Sequence, residues 1–243
     1  MLSAPSGSRH LEFLMKKTDF DLRIHTLMVP QTTRFEGHSG MLIKQTDYHR
    51  IYKVINSLLI NENADPATAA MYFSTFGAFI LKQHYKLDAT PKGGLAAYNL
   101  DGTVILYADH REDGFVTGAG ENFHCWVEAE GWAIDFMAPA FSESAKELSV
   151  ASKMFQRPMS EMATSINHLE RSGDFFYRSE PEATARRFAD WRKHAIIGDL
   201  ATIAAKWFHK SPRQIPASIS VQQQHGTVKN IPFIGNPLAG SWS

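Results

Sequence analysis

Residues 121–139 read ENFHCWVEAEGWAIDFMAP, and the alternation within them decides the fold class. Side chains along a strand point to opposite faces in turn, so His124, Trp126 and Glu128 share one face, while Phe123, Cys125 and Val127 share the other. Glu130-Gly131 has the composition of a two-residue turn, its glycine accepting positive φ without strain. Such a turn pairs Ala129 with Trp132, Trp126 with Asp135, and His124 with Met137. One face then carries Phe123, Cys125, Val127, Ala129, Trp132, Ile134 and Phe136, all apolar. The other carries His124, Trp126, Glu128, Ala133, Asp135 and Met137.

That separation divides the chemistry of the hairpin. Cys125, the single cysteine of the chain, belongs to the apolar face, where a free thiol behaves as a small hydrophobe rather than a nucleophile. His124 is a diagonal neighbour of Asp135, with Cα atoms expected roughly 7–8 Å apart, within reach of a carboxylate–imidazole bond. A histidine oriented by a carboxylate is the base half of a nucleophilic hydrolase or transferase site. The competing reading is a hydrogen-bonded histidine in a polar sheet face. A three-residue turn would slip the register by one and separate the two residues.

Working outward, residues 47–59 (DYHRIYKVINSLL) place apolar side chains at helical spacing. Asp65-Pro66 supplies an N-cap and a first-turn proline. The helix it opens, expected over about 65–85, is apolar on nearly every side from Ala67 to Leu81, so it is expected at the centre of the molecule. Residues 94–100 and 103–108 read as strands about an Asp101-Gly102 turn, and the sheet continues through 115–116 and 122–137. Helices are expected over 143–155, 160–170, 182–194 and 197–209. Residues 1–10 read as a frayed start, and 211–243, with four prolines, as an extended tail that wraps the body or is partly disordered. Helices, then an antiparallel sheet, then helices predict a single α+β domain over 1–243.

Composition narrows the partners. Basic and acidic residues number 25 each, giving no electrostatic reason to expect nucleic acid or an anionic membrane and leaving self-association open, a homo-oligomer included. One cysteine forms no internal disulfide. No apolar run reaches a membrane span, and the start lacks signal-peptide organisation, so the expected location is cytoplasmic. No cofactor or metal motif emerges. Asp109–Asp113 mixes possible ligands but reads as a solvated loop, and His25, His38 and His49 lack ligand spacing. Pro91-Lys92-Gly93-Gly94 lacks the ending of a phosphate loop. Arg186, Arg187, Arg192 and Lys193 read as a solvated basic face paired with Glu180, Glu182 and Asp190.

The pattern His124-x-Trp126-x-Glu128, then Gly131-Trp132 and Asp135, resembles the His/Asp signature of transglutaminase-like proteins within the papain-like cysteine protease superfamily. More narrowly, the apolar helix, the hairpin and the helical C-terminal half resemble an uncharacterised bacterial family of that fold. The resemblance implies a papain-like fold, with a thiolate at the start of the central helix attacking an amide or thioester carbonyl. His124 would shuttle the proton and Asp135 orient His124, while Trp126 and Glu128 line the substrate cleft. The thiol would fall within 69–71, at Ala70 for preference, and no cysteine stands there. Three accounts follow: a degenerate enzyme that binds a small molecule or peptide in its cleft, a replaced thiol, or a hydroxyl recruited from Thr68 or Ser74. A mid-helix serine more often bonds back to the preceding turn. Trp126 has a second reading too, as cover for the sheet under the central helix.

Overall fold

In the computed structural model, which describes residues 41–64, 69–110, 116–144, 150–194, 196–211, 213–222 and 227–242, the apolar stripe near the start becomes helix α1 (Gln45–Asn61). It turns Tyr48, Ile51, Tyr52, Val54, Ile55 and Leu58 inward. Helix α2 (Ala69–Ile80) is buried on most of its circumference, as its uniformly apolar sequence requires. It runs on as a π-helical turn, Leu81–Tyr85, and stops at Lys86, which is left-handed at φ 60°. The expected cap Asp65-Pro66 and Thr68 lie outside the described residues.

The chain then builds an antiparallel sheet from β1 (Ala89–Leu100), β2 (Thr103–Tyr107), β5 (His124–Ala129), β6 (Trp132–Asp135), β7 (Phe155–Pro158) and β8 (Phe175–Ser179). A small ribbon of β3 (Asp109–His110) and β4 (Val116–Thr117) interrupts the order, and a short helix, α3 (Phe141–Ser144), follows β6. The remaining elements are α4 (Pro181–Trp191), α5 (Ile196–Trp207) and a separate hairpin, β9 (Ser218–Gln222) with β10 (Val228–Pro232). The strands run β2–β1–β5–β6–β7, with β8 also paired to β1. β5 and β8 lie end to end along one side of β1 and meet at Gly94, which faces both His124 and Ser179.

Both tight turns form as read. Asp101 and Gly102 have φ of 54° and 88°, Glu130 and Gly131 of 49° and 76°, the paired positive values of a hairpin turn that follows strand twist. Ala129 faces Trp132 and Val127 faces Ile134, so the two-residue register holds. The two faces of this hairpin then enter different cores. Cys125, Val127, Ala129, Ile134 and Phe136 pack under α1, α2 and α5. Trp126 and Ala133 pack on the far side with Tyr98, Phe141, Phe155, Phe175 and Tyr177. The architecture is α+β, with the sheet standing between a helical layer and a second, aromatic core.

Several expectations need correction. β1 begins at Ala89 rather than Gly94 and takes in Pro91, along a stretch of β1 whose other side has no paired strand among the described residues. A proline is tolerated where no ladder bond is required of it. In place of helices over 143–155, of which 145–149 lie outside the described residues, and 160–170 come α3, strand β7, and single 3-10 turns at Met159–Glu161 and Ile166–His168. The apolar residues there serve two faces: Met162 packs beside the aromatic core, Ile166 and Leu169 in a third cluster with Leu95 and Ala97. Their backbone is claimed by the sheet, Ala163 N bonding Phe175 O. The expected helices over 182–194 and 197–209 correspond to α4 and α5. The tail wraps the body, carrying Trp242 to 1% exposure in the aromatic core. Among the described residues, no helix is long and apolar enough to cross a membrane.

Candidate functional site

β5 and β6 bring His124 and Asp135 together: Nε2 lies 2.7 Å from Oδ2, and each side chain is 1% exposed. The same Oδ2 accepts the Tyr98 hydroxyl at 2.6 Å, and Oδ1 accepts the backbone N–H of Met137 at 2.9 Å. Three donors converging on one carboxyl suit a group that only accepts. Nε2 therefore carries a proton, which in the neutral ring leaves Nδ1 as the acceptor. Tyr98 has a single hydroxyl proton and gives it to Asp135, so Tyr177, 2.9 Å away, donates to Tyr98. Tyr48 of α1 donates to the Asp135 carbonyl.

Aromatic rings close the space around the imidazole. Tyr107 stacks on it at 4.3 Å between centroids and 20° between planes, Tyr98 meets it edge-on at 6.0 Å, and Phe141 lies at 5.9 Å. Burial first, then the Asp135 charge, pushes the phenols of Tyr48, Tyr98, Tyr107 and Tyr177 above the ordinary tyrosine value. Tyr48, Tyr98 and Tyr177 serve as neutral donors, and Tyr107 as a neutral stacking ring.

The remaining sequence candidates part company. Trp126 is 1% exposed, stacks on Tyr177 at 4.1 Å, and donates its indole N–H to Glu128 Oε1 at 3.0 Å. It faces no open cleft; Glu128 is half-buried beside it. Ala70 lies with Cys125 in the helical core, across the sheet from the enclosed imidazole. Ser74 bonds back to Met71 O at 3.1 Å. Burial pushes the Cys125 thiol up, against a smaller opposing effect of Ser74. The geometry thus joins His124 to Asp135 and keeps Ala70 apart from both.

Tyr48, Tyr98, Tyr107 and Tyr177, which complete this network, come from four distant elements. The one signal for them is a phenol at an inward strand position, as at Tyr98 between Ala96 and Leu100. Elsewhere, Asp109 accepts the Asn122 backbone N–H at 3.1 Å and its side-chain amide at 2.8 Å, bracing the loop before β5. Arg187 departs from the solvated basic face: it donates to Gly120 O and lies 5.0 Å over the Phe123 ring. Lys193 does pair with Asp190, at 2.7 Å, whereas Glu180 pairs with Arg178 at 3.4 Å.

A family model described as a protein of unknown function (DUF2026) matches residues 44–242. Among solved structures, the crystal structure of genomics target APC5867 is 71% identical, with a TM-score of 0.78, over 84% of this chain and 99% of the other. No curated protein matches at significant similarity.

Proposed function

The chain belongs to the DUF2026 family, and we propose that it is a papain-like, transglutaminase-related scaffold that works without the nucleophile of its ancestry. That ancestry is a cysteine hydrolase or acyltransferase of amide or thioester substrates. A buried central helix on an antiparallel sheet, with His124 and Asp135 paired across one hairpin, supports it. The observation that carries the loss of chemistry is enclosure. The imidazole lies under Tyr107, Tyr98 and Phe141 at 1% exposure, and the one thiol of the chain is on the other face of the sheet. General base catalysis needs the base within hydrogen-bond reach of the proton it takes, directly or through one water. Here the base is bound to its carboxylate and covered on the side a substrate would need. The pair then acts as a structural tie, and the protein serves by binding a small molecule or peptide, or by interaction.

The test places cysteine singly at Ala69, Ala70 and Met71 and follows alkylation by iodoacetamide across pH. Ordinary thiol behaviour at all three positions, unchanged by His124→Ala, is the expected result. A thiol of strongly lowered pKa that returns to normal on His124→Ala would restore a working dyad and overturn the proposal. In the unsubstituted protein, turnover of acyl thioesters that disappears in His124→Gln at full folded fraction would overturn it equally.

A further inference from the structure

Away from the enclosed pair, the tail crosses α1 twice and is tied to it at each crossing. At the first, Ser211 N bonds Asp47 Oδ1 at 2.9 Å, and Arg50 Nη1 donates to the carbonyls of His209 and Arg213 at 3.0 and 2.6 Å. At the second, Asn56 donates to Ile234 O at 3.1 Å and His49 Nε2 to Asn236 O at 2.8 Å. Between the crossings no side chain of the described residues fills the space. A hollow of about 420 Å³ remains, floored by α1 and walled by Ile215, Pro216 and Phe233. That volume lies in the range of small-molecule sites, roughly 300–1,000 Å³.

The charge of its lining is one-sided. Arg50 and Lys53 project from α1 into the hollow, with Thr46 at the rim, and no carboxylate lines it among the described residues. Asp47, one residue from Thr46, is turned inward and spent on Ser211. Among the described residues Arg50 bonds through Nη1, and Lys53 makes no hydrogen bond or ion pair. Arg50 is thus held in place by two carbonyls while Nη2 and Nε remain as donors among the described residues, and a guanidinium so fixed suits phosphate oxygens. A second hollow of about 220 Å³ beyond Arg213, lined by His84, His209 and Lys210, also lacks a carboxylate among the described residues. In a chain of zero net charge, this edge is locally positive.

We propose that the hollow between α1 and the tail binds a small organic phosphate, its anionic head on Arg50 and Lys53 and its apolar body against Ile215, Pro216 and Phe233. The inference stands apart from the fate of the His124 pair and uses none of its residues.

Calorimetric titration of the full chain tests it, with phenyl phosphate, inorganic phosphate and phenol as separate titrants. Saturable binding of phenyl phosphate is expected, weaker binding of inorganic phosphate, and none of phenol. Lys53→Gln should weaken phenyl phosphate about tenfold, the size of one charge-assisted contact. Lys53 packs its stem on Gly235, so a second variant guards against a folding defect: Thr46→Glu, at an exposed position in the first turn of α1, should weaken binding by a similar factor. No saturable binding of phenyl phosphate, equal binding of phenol, or affinity undiminished in Thr46→Glu and in folded Lys53→Gln overturns the proposal.

Discussion

The imidazole of His124 and the carboxylate of Asp135, eleven residues apart in the chain, sit 2.7 Å apart across the Glu130-Gly131 turn. Their union depends on that turn having two residues. It also draws in a third strand through Tyr98, α1 through Tyr48, and the start of the next turn through Met137 N. Asp135 is therefore a node between the hairpin, the neighbouring strand and the helical layer. Such a node rigidifies when fully satisfied and is costly when broken, because its side-chain donors His124, Tyr98 and Tyr48 are buried.

Removing the node should unfold the protein more readily than removing any one of its donors. Asp135→Ala leaves His124 Nε2, the Tyr98 hydroxyl and Met137 N without an acceptor, and should cost about 3–5 kcal/mol in urea denaturation. Asp135→Asn keeps one accepting oxygen and should cost less, about 1–3 kcal/mol. A loss under about 0.5 kcal/mol for Asp135→Ala, the size of an ordinary surface change, would mean that the network is not structural.

The hairpin and both of its faces were legible because two-residue periodicity and an acidic-glycine turn are local signals, and the turn φ values bear them out. Helices α4 and α5 were legible for the same reason. The stretch from 143 to 170 was misread because its apolar residues are spaced like a helix yet serve two cores. Only the partner strand β6, distant in sequence, makes Phe155–Pro158 a strand. The tyrosines around Asp135 were invisible for a related reason: their placement is set by sheet order, which no local pattern encodes. The enclosure of His124 follows from them.

Cys125 should resist alkylation in the native state. It is 1% exposed under α2, and its thiol is pushed up by burial, which suppresses the reactive thiolate. Labelling by iodoacetamide at pH 8 should track global unfolding across a urea series. Fast stoichiometric labelling without denaturant would contradict the assignment of this residue to the helical core.

At Gly77, α2 approaches the end of the hairpin closely. A Cβ there would overlap the Phe136 ring, which α1 holds from the other side through Tyr48 at 5.1 Å. Gly77→Ala gains helix propensity, about 1 kcal/mol, but overpacking typically costs 1–3 kcal/mol or more, and the ring has little room to yield. A net loss of about 1–2 kcal/mol is expected from these opposing effects. Gly77→Ala combined with Phe136→Leu should recover part of it, since the smaller side chain vacates the overlap. A stabilised Gly77→Ala single variant would show that α2 does not lie this close to β6.

Asp47 should make the tail acid-sensitive. Burial alone would raise its pKa, but the Tyr85 hydroxyl, then the Ser211 amide at 2.9 Å and the Arg50 guanidinium outweigh this, and the carboxyl is held below its usual 3.8. A depressed folded value means the unfolded chain takes up protons first as pH falls. The stabilisation is thus complete above the unfolded pKa, about 3.9, and is lost as pH drops through the folded value below it. Asp47→Asn should destabilise by about 1–3 kcal/mol at pH 7. Its difference from the unsubstituted protein should stay level down to about pH 5 and shrink below about pH 4, read by urea denaturation at a series of pH values. A difference that grows as the solution is made more acid would mean that Asp47 is not the ionised clasp between α1 and the tail.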